Sequence, residues 1–347
     1  SKYAGLDVPL ELSERITLYW QGFPHLPQFV QGQFWRLTGT VNGIGLSTFS
    51  AFVAFLAYCH FALKARFWCV ALITITVPMV LIHSTSGYVD LFANSFLSIG
   101  VLTLVHGYLF DAFDRGDLMG WGLFGLTCAA WSKIQLMPLV VFFFALYGYF
   151  YGVRAVQDVR HKRRIHILIG IAFFVAILPY LKNMMVHGNP FWPMKLPMVG
   201  ELFPFALDTS AEGALQRPAH LQDSPQIVAF LHSLFEIGHP TEYGYRSRWV
   251  LDQGDADVSF RTGGYWWFAV VLSMVSMAVL AFVHDRKKWG HFMGAAFGTL
   301  VLVSLLPQSH ELRYYLFLPL STAGTIAMLF HRAEFKRPKV ALCIMMV

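Results

Sequence analysis

Eight apolar stretches of this chain run for roughly 16 to 20 residues without one Asp, Glu, Lys or Arg, long enough to cross the hydrocarbon of a bilayer. They lie at 46–63, 67–83, 91–110, 136–153, 165–181, 265–283, 291–306 and 315–330. A ninth, shorter run at 118–131 fits a thin or partly re-entrant span, and another opens at Val340. No water-soluble core absorbs so much apolar helix. Of the 347 residues 56% are hydrophobic and 13% charged, against about a quarter charged in soluble domains. The expected fold class is therefore an all-α integral membrane protein, a polytopic helical bundle crossing about nine times.

Charge gives the orientation. The net charge of +6 is not spread as on a nucleic-acid-binding surface. The basic residues fall in four connections: Lys64 and Arg66; Arg154, Arg160, Lys162, Arg163 and Arg164; Arg286, Lys287 and Lys288; and Arg332, Lys336, Arg337 and Lys339. An even number of spans separates each cluster from the next, provided that 118–131 counts as a crossing. All four then face one side, the cytoplasmic one. The chain divides into a first external loop (1–45), a bundle of six spans (46–181), a long external loop or cap (182–264) and the C-terminal spans (265–347). Starting at Ser1 and stopping at Val347 inside an apolar run, it reads as the interior of a longer protein. Amphipathic surface helices are expected at 9–20, at 27–37 and after Ser224-Pro225, where Ile227, Phe230, Leu231, Leu234 and Phe235 form a stripe.

Polar residues then concentrate at the external mouth. Asp90 opens a span, where a helix N-terminus favours a carboxylate; the alternative is an ordinary helix-start Asp. Lys133, alone in an apolar hairpin, either snorkels to the interface or meets a phosphate as a compact point charge. The turn at 307–315 holds His310, Glu311, Arg313 and two tyrosines; Arg313 suits a phosphate, Glu311 a sugar hydroxyl or a plain surface pair. Asn189 sits in a Gly-Asn-Pro turn after a span, Arg261 before a Gly pair, and His25 between two prolines; each is equally readable as structural.

Other classes find no footing. The chain has no Walker loop, dinucleotide fingerprint or His-Glu-x-x-His pair. Its four cysteines show no paired spacing. Haem is disfavoured because His60, His83, His166 and His291 lie at span ends and His106 about a turn from one.

In their order, FPH (23–25), SGYVDL (86–91, containing Tyr88 and Asp90), WSK (131–133), GNPFWP (188–193), RTGG (261–264) and ELRY (311–314) resemble the GT-C superfamily of polytopic glycosyltransferases. That superfamily includes the bacterial aminoarabinose transferases and the protein O-mannosyltransferases. The resemblance covers most of the chain, from about Phe23 to Pro319. It implies a polyprenyl-phosphate sugar as donor, an inner membrane of bacterial type, and an inverting transfer on the periplasmic face. It also implies Lys133 and Arg313 as phosphate ligands and Asp90 as an acid lining the site, with Tyr88, Glu311, His310, Asn189, His25 and Arg261 as further binding candidates. Some members use a divalent cation and others none; no ligand cluster here decides between them. One departure stands out. The superfamily's acidic residue follows its first span, and Asp7, Glu11 and Glu14, the acids left in that loop, do not match its pattern. The base then lies upstream of Ser1, or the chain is an inactive subunit of a membrane complex. A transporter or lipid flippase is the remaining alternative, and it requires a polar path through the bilayer midplane.

Overall fold

The computed structural model describes residues 14–39, 45–84, 88–154, 159–195, 202–208, 221, 223–235, 267–306 and 308–336. Arg261, the run opening at Val340, and Asp7 and Glu11 lie outside them. All regular structure among the described residues is helical. The helices are α1 (Glu14–Gly22), α2 (Leu26–Thr38), α3 (Leu46–Phe61), α4 (Phe67–Ile75), α5 (Pro78–Ser84), α6 (Asp90–Phe110), α7 (Gly116–Ala130), α8 (Met137–Tyr147), α9 (Val159–His187), α10 (Gln226–Phe235), α11 (Trp267–His284), α12 (Arg286–Leu305) and α13 (Phe317–Lys336). A 3₁₀ turn, Ile134–Leu136, leads into α8, and a π turn, Gly148–Arg154, leaves it. A second 3₁₀ turn, Leu312–Tyr315, precedes α13.

Among the described residues each expected run from 46 to 330 is largely helical, yet the helices differ as spans. Among the described residues three can cross a membrane by length and composition, those beginning at Asp90, Ile134 and Lys162, or up to four if one bent pair counts. The pair is α4 and α5. Where the sequence suggests one span over 67–83, the axis turns by 101° between Ile75 and Pro78. Pro78 has no N–H to continue the ladder, but its fixed φ suits the first residue of a new helix. The surface of α9 also speaks for lipid. Ile167, Leu168, Ile171, Phe174, Leu178 and Leu181 are exposed at helical spacing, an apolar stripe that water would not tolerate at this extent.

At the centre stands α6. It is buried on all sides, against α3, α7 and α13. Without a hydrophobic drive between helices in lipid, association rests on close packing and interhelical hydrogen bonds. Both are present. A Cβ on Gly125 would stand 2.5 Å from the Phe96 carbonyl oxygen, and one on Gly100 would stand 2.6 Å from Leu126, so α6 and α7 cross almost backbone to backbone. At the same depth the Tyr147 hydroxyl donates to the Gly100 carbonyl (2.9 Å), and Tyr58 shares a 2.6 Å hydrogen bond with Thr103. These bonds tie α3 and α8 to α6.

The two ends of α6 have opposite character. At its C-terminus the Lys288 ammonium donates to the Tyr108 carbonyl (3.0 Å) and pairs with Asp111 (2.6 Å), so a basic connection caps that end. The other end carries Asp90.

Candidate functional site

The turn after α7 holds the first cation in place. Ser132 closes the helix by donating to the Cys128 carbonyl (2.5 Å), and Lys133 follows in extended conformation. The Leu26 N–H donates to the Trp131 carbonyl (2.9 Å), joining the start of α2 to this turn. The Trp131 indole donates to the Val175 carbonyl on α9 (2.8 Å). That carbonyl is available for a covalent reason. Its helical donor would be the N–H of residue 179, which is Pro179, inside α9. Trp131 supplies the missing donor, as a polar group in hydrocarbon requires. Held from two sides, the turn sends Lys133 inward. Its side chain is 7% exposed and reaches the Asp90 carboxylate, so the snorkelling alternative does not hold.

Trp131→Phe is expected to cost about 1 kcal/mol by stranding the Val175 carbonyl. In a Pro179→Ala background, where the substituted residue has an N–H to offer, the same change should cost much less. Thermal melts of the four variants in micelles measure the coupling, and equal costs in both backgrounds would refute this account.

Asp90 is the first residue of α6. Its side chain is 3% exposed, with one oxygen on Lys133 and the other 4.0 Å from the His83 imidazole of α5. The bend between α4 and α5 is what carries His83 here. His83 also meets the Tyr88 ring edge-on at 5.9 Å, and Thr48 of α3 holds the Tyr88 carbonyl (3.0 Å).

The second cation comes from the turn before α13. Arg313 donates through Nε (3.1 Å) and a terminal nitrogen (2.8 Å) to one oxygen of Glu311. Glu311 is fully buried, whereas the Arg313 side chain is 21% exposed, the most open of the four charges. Burial works against the Arg313 charge, but Tyr314 and Glu311 outweigh it and hold its pKa above the ordinary range. Asn94, one turn along α6 from Asp90, fastens this segment: its amide donates to the Tyr314 carbonyl (3.2 Å) and accepts from the Phe317 N–H (2.9 Å). His310 is buried in the same turn.

Tyr314 joins the two cations. The Lys133 ammonium stands 3.7 Å from its ring centroid, and Arg313 donates to its hydroxyl at 3.2 Å. Burial, with Glu311 adding to it, pushes the phenol well above its usual pKa, so it separates the cations as a neutral, electron-rich plate. Tyr88 takes the other side of Arg313, 5.8 Å from the guanidinium carbon. Asp90, Lys133, Glu311, Arg313 and Tyr88 thus converge on one end of the bundle. Sequence reading passed over His83 and left Tyr314 without a role. The inward face of the apolar run holding His83 was the available signal.

Two further candidates take structural roles instead. Asn189 spends its amide within its own loop, donating to the Met194 (3.0 Å) and Pro204 (2.8 Å) carbonyls and accepting from Phe191 (2.8 Å). His25 stacks on Trp20 at 4.5 Å and shares a 2.7 Å hydrogen bond with its carbonyl; burial lowers its pKa. Among the described residues no group of three or more His, Cys, Asp or Glu is placed to hold a metal ion.

An apolar chamber of about 600 Å³ lies between α6, α8, α11, α12 and α13, running along α6 from Val101 to Tyr108, toward the Lys288 end. Val105, Phe143, Met274, Leu300 and Phe317 line it. Phe317, whose N–H is held by Asn94, stands between the chamber and the charged residues. In comparisons with known proteins, no family model matches the chain, and neither a curated protein nor a solved structure matches it.

Proposed function

We propose that the chain is a membrane glycosyltransferase of GT-C type that crosses the bilayer about nine times and takes its sugar from a polyprenyl-phosphate donor. The observation that carries this reading is the convergence of Asp90, Lys133 and Arg313, from three distant parts of the chain, with Phe317 linking them to an apolar chamber that runs down α6. A phosphate with a lipid tail needs that combination: cations where the headgroup sits and hydrocarbon walls nearby. In the reaction the acceptor hydroxyl oxygen bonds to the anomeric carbon while the bond from that carbon to the phosphate oxygen breaks. The phosphate leaves with the electron pair, and its growing charge falls to Lys133 and Arg313. Asp90 takes the hydroxyl proton in this proposal, in place of the acid that the superfamily carries after its first span. The products are the glycoside and the polyprenyl phosphate.

The basic connections lie toward the Lys288 end of α6, which supports the Asp90 end as the external, periplasmic one in a bacterial-type inner membrane. A flippase or transporter would need a polar path at mid-depth. There the Tyr58, Thr103 and Tyr147 hydroxyls are all hydrogen-bonded between closely packed helices, which favours the transferase.

Membranes holding the full-length protein should transfer label from at least one of a panel of polyprenyl-phosphate sugars. Asp90→Asn and Arg313→Ala should each cut that rate by roughly 100-fold or more. Absence of transfer and of donor turnover with every sugar, from well-folded protein, would leave the inactive-subunit reading in its place.

A further inference from the structure

Neither cation at the mouth is idle. Lys133 is held by Asp90 and Arg313 by Glu311, so two carboxylates and two cations make a buried cluster with no net charge. An entering phosphate adds negative charge to that neutral cluster. It is stabilised only if a carboxylate gives up its cation, because three anions cannot share two cations at so little exposure without strong repulsion.

The geometry decides which pair opens. Glu311 and Arg313 stand two residues apart on one turn, with two donors on a single oxygen. The chain itself keeps them together. Asp90 and Lys133 come from different helix ends and meet through one ammonium. That ammonium rides on a flexible stem, and the Tyr314 ring lies 3.7 Å from it. The aromatic face can keep company with the charge while it changes partner.

We infer that the Asp90–Lys133 pair is a latch: the phosphate of the ligand takes Lys133 and so frees the Asp90 carboxylate. The inference rests on the phosphate reading proposed above and adds an order to it. Asp90 becomes available as a base only after the donor phosphate is seated, so a site without donor holds no free carboxylate facing the acceptor. Arg313, the most exposed of the four charges, makes the first contact, and Lys133 the second.

The test is binding, measured on the full-length chain in nanodiscs by calorimetry, with a polyprenyl monophosphate and inorganic phosphate as separate probes. Asp90→Asn removes the competitor for Lys133. It is expected to bind the lipid phosphate about ten-fold more tightly than the wild type, while losing transfer. Glu311→Gln removes an equal charge from the pair that stays closed and should tighten binding by less than about three-fold. Lys133→Met should weaken it. If inorganic phosphate gives the same order, the headgroup alone works the latch; if only the lipid form binds and gives it, the latch belongs to a lipid ligand. Asp90→Ser makes the same comparison should the Asn variant not fold. Equal tightening by Asp90→Asn and Glu311→Gln, or none by Asp90→Asn, overturns the latch and leaves the phosphate reading intact. If neither phosphate binds any of the proteins, the latch and the phosphate reading are both overturned.

Discussion

Lys133→Met is expected to lower the stability of the purified protein by about 3–5 kcal/mol, the usual cost of leaving a buried charge without its partner. The stranded group is Asp90, whose side chain is 3% exposed. Methionine matches the lysine stem in length, so packing changes little and the loss reports on charge. The double variant Lys133→Met/Asp90→Asn should recover most of that stability, because it removes the stranded carboxylate along with its former partner. It should recover none of the transfer. Melting temperatures of the four proteins in one detergent decide the matter: a double variant no more stable than the single one would mean that the two residues are not a buried pair.

Gly125→Val should have an effect of similar size by a different route. The new Cβ would stand 2.5 Å from the Phe96 carbonyl oxygen and 3.2 Å from the Gly100 nitrogen. These are backbone atoms on the central helix, and no rotamer change relieves the clash. Separation of α6 from α7 would also pull apart the layer where Tyr147 reaches the Gly100 carbonyl. We expect a loss of at least about 3 kcal/mol, or no folded protein at all. Gly120 is the control, since it shares α7 with Gly125 and a Cβ there meets nothing within 4 Å. Gly120→Val should cost no more than about 1 kcal/mol. Size-exclusion profiles of the two variants would read out the contrast, and similar behaviour would discredit the backbone-to-backbone crossing.

Much of this arrangement could be read from the residues alone. Among the described residues the apolar runs are helical, because burying backbone in an apolar medium leaves few other solutions. The grouping of Asp90, Lys133 and Arg313 followed from counting spans, which puts all three on one side. Contacts were harder. Nothing local says that Lys133 turns inward; that depends on Trp131 meeting a carbonyl which Pro179, far along the chain, leaves without a donor. Pro78 was visible as a break, but not the 101° it produces or its delivery of His83 to Asp90. Asn189 and His25 carry the residue types of a binding site, yet nearby carbonyls and rings engage them. A polar side chain in a Pro-rich turn serves the backbone as readily as a ligand, and sequence cannot separate the two.

The Asn94 amide joins α6 to a turn 220 residues later in the chain. Synthesis from the N-terminus therefore makes the mouth in two stages. Asp90 and Lys133 emerge close together and can enter the bilayer as a neutral couple, sparing a lone charge the cost of insertion. Arg313 and Tyr314 follow long after Lys133, with Glu311 beside them in the same turn. Each cation thus follows its own counter-ion along the nascent chain, and Asn94 waits as the socket that the later turn plugs into. Assembly in this order completes the charged mouth only when the turn at 311–315 reaches Asn94.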